Sequence, residues 1–373
     1  MSKDLLPFTR TAIDEETIAG VAEVLRSGWL ASGPMVLRFE QELSVLCGGR
    51  SVRAMTSATE ALEIALMAAG IGAGDEVITT PMSWCATANV ILRVGARPVF
   101  VDIDLDTRNL SLEQAEQAVT ARTRAIMPVH FAGLPLDLDA LYAFAKRHEL
   151  RVIEDAAHAI GSSWRGQTIG SVGDLVCFSF HPNKNITTGE GGALVARSAD
   201  EIRFIERARF NGVTRGAPGE MDVTFVGLKS NMSDIQARIG LGQLPHLAAF
   251  NARRRELAGR YFARWGASSP VRLPARGDDG HSWHMFAPLL PQAVMARGEF
   301  IRRMQEQGIA VGVHYPAIHL FSAYRKLGWR EGMYPNAERV GREIVTLPLF
   351  PAMKDSDVDR VVDAVERLVG VTA

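Results

Sequence analysis

Apolar positions along the chain follow two alternating regimes. Short apolar runs of strand length occupy 52–56, 76–80, 97–102, 123–129, 151–155, 175–180 and 191–196, and each is bounded by turn-forming or polar residues. Between them, apolar residues recur at helical spacing. Ser57 opens one such stretch with Ala61, Leu62, Ala65, Leu66 and Ala69 on one face, and 111–119 forms another. Two helices precede the first strand, one over 14–27 that stops at Gly28 and one ending near Leu46. The alternation predicts an α/β fold with a mostly parallel, seven-stranded sheet covered on both faces.

The pattern changes in the second half of the chain. A polar, glycine-containing segment runs from about 215 to 227 without a steady period and reads as a mobile loop. Asn231-Met232-Ser233-Asp234 then starts a helix with Ile235, Ile239 and Leu244 as its apolar positions. Arg253, Arg254 and Arg255 follow, and three successive helical residues point several ways around the axis, so they read as a solvated face. From about residue 267 the chain forms a smaller unit, with strands beginning at His281 and over 309–313. The last helix carries a one-sided stripe of Val358, Val361, Val362, Val365 and Leu368. Residues 1–245 are therefore expected to form a large domain, and 246–373 a linking helix and a small C-terminal α/β domain.

Composition narrows the function classes. Of 373 residues, 47% are hydrophobic and 22% charged, and a formal net charge of −1 supplies no global field for nucleic acid or an anionic membrane. Cys47, Cys85 and Cys177 are scattered with no CxxC spacing, which argues against a disulfide framework and fits a reducing cytoplasm. Met1–Asp14 has no apolar signal core, and no apolar run reaches about 18 residues, so neither export nor a membrane span is expected. His314-Tyr315-Pro316-Ala317-Ile318-His319 clusters two histidines, but its spacing matches no standard zinc pattern, and no metal is expected.

Two stretches carry chemistry. In the first, the run 175–180 ends in a polar turn, His181-Pro182-Asn183-Lys184-Asn185, before the glycine cluster Gly189-Glu190-Gly191-Gly192. A lysine at the end of a buried strand is either solvated or, when desolvated, a nucleophilic amine. In the second, the strand 151–155 closes on Asp155, and His158 follows three positions later. A strand-end aspartate paired with a strand-end lysine suits pyridoxal phosphate: the lysine forms the Schiff base and the carboxylate holds the pyridine nitrogen protonated. Ser57, Ala58, Thr59 and Glu60 open a helix, where hydroxyls and N–H groups serve as caps or as a phosphate site. Trp84 lies just past a strand end, where an indole packs in the core or stacks on a pyridine ring.

EDAAHAIGS (154–162) and FSFHPNKNITTGEGG (178–192) together resemble the DegT/DnrJ/EryC1/StrS family of sugar aminotransferases, and the resemblance runs over nearly the whole chain. It implies a fold-type-I pyridoxal-phosphate enzyme moving an amino group from L-glutamate to a nucleotide-linked keto sugar, with pyridoxamine phosphate as the intermediate form. By the same resemblance Lys184 and Asp155 are catalytic, and His158 contacts or stacks near the cofactor's phenolic oxygen. Ser57, Ala58, Thr59, the Glu60 backbone and Ser179 hold the phosphate, and Trp84 stacks on the ring. The matching position of Asn231 reaches the partner subunit's cofactor phosphate, which implies a homodimer with shared sites. Trp29 and Ser32 in the Gly28–Pro34 loop, His181, and His314 with Tyr315 face the substrate. Glu60 replaces a small residue common in the family, so its carboxylate must point away from the phosphate.

Within the family, the T-T-G-E-G-G ending favours amination at sugar C4 over C3. LPFTR (6–10) and SGWLASGP (27–34) look like the members acting on a UDP-linked 4-keto pentose, whereas HYPAIH takes the form of members acting on hexoses, which leaves a 4-keto-6-deoxyhexose equally open. Lys184 speaks against the dehydratases of this fold, in which histidine replaces it. Keeping Lys184, Asp155 and the phosphate segment together speaks against a non-catalytic sensor.

Overall fold

The computed structural model describes residues 5–370; of the Met1–Asp14 segment, residues 1–4 lie outside the described residues, as do 371–373 of the last unit. All seven expected strands form and join one sheet: β1 (Val52–Met55), β2 (Glu76–Thr79), β3 (Arg97–Phe100), β4 (Thr123–Met127), β5 (Arg151–Asp155), β6 (Leu175–Ser179) and β7 (Gly192–Val195), in the order β1-β7-β6-β5-β4-β2-β3. The pairs β2–β3, β2–β4, β4–β5 and β5–β6 are parallel. Strand β7 runs antiparallel to both β6 and β1. The carboxyl ends of β1 to β6 and the start of β7 therefore meet along one edge.

The strands are apolar on both faces because both faces are covered. On β6, Leu175 and Cys177 point to one layer and Val176 and Phe178 to the other, the period-two alternation of a strand. The first layer holds α3 (Ala58–Ala68), α4 (Ala86–Arg93) and α7 (Ala199–Ala208). The second holds α2 (Pro34–Leu46), α5 (Leu112–Ala118) and α6 (Leu138–Arg147). Helix α1 (Glu15–Ser27) begins and ends where its sequence signals lie. The Asp14 carboxylate accepts from Thr17 N at 2.7 Å, and Gly28 takes φ 75°, a left-handed conformation natural to glycine.

Helices α8 (Asp234–Gln243) and α9 (Leu247–Trp265) lead into a second core built from α9, the helices Arg297–Glu306 and Asp355–Val369, and the segment 283–290. Three expectations change here. The strands expected from His281 and over 309–313 are reduced to isolated bridges, Phe286 to Leu347, Leu289 to Ile344 and Gly312 to Thr346. Pro288, Pro291 and Pro348 supply no N–H for a ladder, and Trp283 turns the chain with φ 49°. The expected irregular loop contains a short hairpin, Val213–Arg215 against Met221–Val223. The arginine run is not a solvated face: Arg254 is buried, and its Nη1 donates to the carbonyls of His284 at 3.1 Å and Leu349 at 2.7 Å. Helical rotation accounts for this, since Arg253 reaches the Asp355 carboxylate and Arg255 the Asp279 carbonyl while the residue between them faces the second core.

Candidate active site

The carboxyl edge of the sheet is where an open α/β sheet receives a ligand, because successive loops diverge there. Here the edge opens on a cavity of about 390 Å³. Each contributor comes from a strand end: Ser57, Ala58 and Thr59 after β1, Trp84 and Thr87 after β2, Asp155 and His158 at and after β5, Ser179 and Lys184 at and after β6, and Glu190 and Gly191 just before β7. Segment 313–315 brings His314 and Tyr315 to the same space. Gly192 makes this geometry possible, since a Cβ there would lie 2.4 Å from the backbone of both Ser57 and Ala58. A side chain at 192 would push the start of α3 off the strand.

The amine and the carboxylate are both perturbed. Burial pulls the Lys184 ammonium down to about 8, against the opposing charge of Asp155. Burial raises the Asp155 carboxyl, while Thr87 Oγ1 donates to its Oδ2 at 2.7 Å and Ala157 N to its Oδ1 at 3.1 Å, both favouring the ionised form. Thr87 in turn shares a 2.8 Å hydrogen bond with Ser83 Oγ. His158 is buried and held neutral by desolvation; its Nε2 pairs with the Tyr315 hydroxyl at 3.1 Å, and its Nδ1 has no partner. His314 is pulled down to about 4 by burial and by the Lys184 charge, and its Nδ1 pairs with Thr346 Oγ1 at 2.8 Å. The Trp84 indole is 60% exposed and stands 5.9 Å from the Tyr315 ring.

Of the residues expected from sequence, Ser57, Ala58, Thr59, Trp84, Asp155, His158, Ser179, His181, Lys184, His314 and Tyr315 meet in this cavity. Glu60 stays in the first turn of α3, but its carboxyl turns away to accept from Thr56 Oγ1. Trp29, Ser32 and Asn231 do not line the cavity. Asn231 Nδ2 donates to Ser32 Oγ at 2.6 Å, and Trp29 is 58% exposed. His130 lies outside the cavity wall, fully buried against Glu154 at 2.9 Å. Sequence reasoning missed Ser83, Thr87, Asn183 and Glu190 as lining groups. The signal for Thr87 is its spacing, a hydroxyl three positions after Trp84 on the first turn of a helix that starts at the cavity.

A profile of the DegT/DnrJ/EryC1/StrS aminotransferase family matches residues 11–366. The chain belongs to this family. Among curated relatives, the spore coat polysaccharide biosynthesis protein SpsC of Bacillus subtilis is 41% identical over 98% of this chain and 97% of its own. The UDP-4-amino-4-deoxy-L-arabinose–oxoglutarate aminotransferase of Shewanella sediminis is 38% identical over 99% of this chain and all of its own. Among solved structures, Spr1654 from Streptococcus pneumoniae, named as a sugar aminotransferase and solved in its PMP form, superposes with a TM-score of 0.92 at 32% identity, covering 97% of this chain and 98% of that one. The fold is that of the fold-type-I sugar aminotransferases, and the family's enzymes work with pyridoxal phosphate.

The residues present fit that group. A desolvated amine, a buried carboxylate awaiting a cationic partner, the first turn of α3 with its N–H groups, an indole face and the unpartnered Nδ1 of His158 share one cavity. The amine's depression is directly measurable. Competitive acetylation of the cofactor-free protein between about pH 6 and 10 is expected to give Lys184 a midpoint near 8, since only the neutral amine reacts and burial favours it. A midpoint in the range of an ordinary surface lysine would remove the basis for an activated amine.

Proposed function

We propose that the protein transfers an amino group from L-glutamate to C4 of a nucleotide-linked 4-keto sugar. The observation that carries this reading is the meeting of Lys184, its amine depressed by burial, with the buried carboxylate of Asp155 and the first turn of α3 in one cavity. The name of the Shewanella relative supports both the C4 position and the glutamate–oxoglutarate couple. Lys184 would hold pyridoxal phosphate covalently, Asp155 its ring nitrogen, Trp84 its ring face, and Ser57, Ala58, Thr59 and Ser179 its phosphate. When bound, the cofactor supplies an electron sink for the carbanion generated at the amino acid's α-carbon.

This chain's residues do the remainder. Lys184 Nζ takes the proton from the α-carbon of glutamate and, in the second half-reaction, delivers one to C4 of the sugar. Glutamate becomes 2-oxoglutarate while the sugar ketone becomes an amine, so the pair of half-reactions balances without an external reductant. Asp155 holds its negative charge against the ring nitrogen, and Thr87 orients that carboxylate. His181, His314 and Tyr315 line the cavity beside Lys184 and are our substrate contacts.

A pentose and a 6-deoxyhexose differ at one carbon, which a pocket discriminates by only about 1–3 kcal/mol. Glutamate-dependent amination is therefore to be assayed across UDP-, dTDP- and GDP-linked 4-keto sugars, with the product position read by NMR. Amination at C4 of at least one is expected. Amination at C3, or activity confined to free keto acids, would refute the assignment.

We further propose a cytoplasmic homodimer in which Asn231, with Ser32 and Trp29, completes the partner's site. Support comes from the exposed apolar side chains of this region, Trp29 at 58%, Leu30 at 44% and Leu37 at 66%. The three cysteines are unpaired, and among the described residues no helix is long and apolar enough to cross a membrane. Lys184→Ala and Asn231→Ala subunits, each inactive alone, are expected to regain activity when mixed, because one of the heterodimer's two sites is then intact. Verified heterodimers without activity would rule out a composite site.

A further inference from the structure

Asn185 directly follows Lys184, yet its side chain is absent from the cavity wall and buried. Its amide is fully engaged. Nδ2 donates to Asn251 Oδ1 at 2.6 Å and to the Ser282 carbonyl at 3.0 Å, and Oδ1 lies 3.2 Å from His284 Nδ1. A carbonyl only accepts, so the Ser282 contact fixes which end of the amide is nitrogen. Oδ1 then needs a donor, and a neutral imidazole has one N–H to give. His284 is buried and held neutral by desolvation, so its proton sits on Nδ1.

The partners of this amide are themselves tied to the site. Asn251, on α9, donates to the Ile160 carbonyl at 3.2 Å, and Ser282 Oγ to the His158 carbonyl at 3.2 Å. The His284 ring stacks on that of His158 with centroids 4.5 Å apart and planes at 22°. His158 then pairs with the Tyr315 hydroxyl, and both line the cavity. On the other side of Asn185, Lys184 N closes a turn onto the His181 carbonyl at 2.8 Å. One buried amide thus joins the lysine loop to α9, to the segment 282–284 and, through a ring stack, to two groups of the cavity wall.

We propose that Asn185 is a positioning residue, which fixes the backbone of Lys184 and, through the Nδ1–H tautomer of His284, the rings of His158 and Tyr315. The proposal rests on the transamination reading of this site. Lys184 must there change its bonding while its Cα stays in place, and buried amides are costly unless satisfied, so a fully satisfied one specifies a single arrangement. A misplacement of about 1 Å at a reacting group costs on the order of 10²-fold in rate.

The first test needs neither cofactor nor substrate. Long-range ¹H–¹⁵N correlation on cofactor-free protein labelled at histidine is expected to show His284 protonated at Nδ1. Asn185→Ala is expected to shift the His158 ring signals and to raise the acetylation midpoint of Lys184 from about 8 toward the ordinary lysine range as the loop loosens. A wild-type His284 protonated at Nε2, or unmoved His158 and Lys184 in the variant, overturns the proposal. In the cofactor-loaded enzyme, Asn185→Ala is expected to lower kcat for glutamate by about 10- to 100-fold while KM changes by less than about threefold. A lower melting temperature with wild-type kcat and unmoved His158 signals shows a merely structural latch and also overturns it. His284→Phe keeps a ring for stacking but lacks the N–H, and carries the kinetic test if Asn185→Ala does not fold: a comparable loss of kcat supports the proposal, and wild-type kcat refutes it. If the NMR and acetylation results hold in a protein that aminates no keto sugar, it is the reaction assignment that fails.

Discussion

Lys184→Ala is expected to lower the rate of the glutamate half-reaction by about 10⁴-fold or more while leaving the fold intact. The size follows from the two roles proposed for one amine. Among the described residues Lys184 is the only lysine lining the cavity, so both covalent attachment and proton transfer at the α-carbon are assigned to it. Its removal deletes an ammonium that burial disfavours, and Asp155 keeps its hydrogen bonds from Thr87 and Ala157, so the fold should persist. Borohydride reduction of cofactor-loaded wild type, followed by peptide mapping, should place the label on Lys184. Small primary amines are expected to restore part of the proton transfer in Lys184→Ala, because they enter the space the side chain vacates. Label on another lysine, or a half-reaction within about tenfold of wild type, would overturn the assignment.

The positions of these groups were largely legible because a parallel sheet has a simple grammar. Seven apolar runs alternating with helical stretches specify strand direction, and direction specifies the edge on which Asp155, Ser179 and Lys184 emerge. Polar partners that act across the chain left weaker traces. Thr87 is 68 positions from Asp155, and nothing in the local sequence ties the two until β2 and β5 are placed in one sheet. Arg254 shows the opposite failure. Its neighbours in sequence are charged and reach polar partners, yet the second core closes over it with backbone carbonyls from two segments, 283–284 and 349, a solution no periodicity announces. The segment from His281 reads as a strand, yet it pairs only at single bridges of Phe286 and Leu289; the prolines at 288, 291 and 348 decide how far pairing extends.

Asp155→Asn is expected to slow the glutamate half-reaction by about 10²- to 10³-fold, the scale of losing one preorganised electrostatic partner. The expectation depends on the substitution removing charge and nothing else, and the hydrogen-bond pattern indicates that it does. Ala157 N donates to Oδ1, an interaction the amide oxygen of asparagine retains. On the other side, Thr87 Oγ1 donates to Oδ2 and is paired with Ser83 Oγ. An asparagine Nδ2 in place of Oδ2 would donate to Thr87, and both hydroxyls can rotate so that Thr87 donates to Ser83 instead. The Ser83–Thr87 pair can thus reverse direction and keep its bond to position 155, so the melting temperature should change little. What would be lost is the anion proposed to keep a ring nitrogen protonated, and with it the electron sink. Stopped-flow absorbance of the cofactor-loaded variant mixed with glutamate measures this directly. Turnover near that of wild type would show that the Asp155 carboxylate has no part in the chemistry, whereas a slow half-reaction in a fully folded, cofactor-loaded variant assigns the loss to charge.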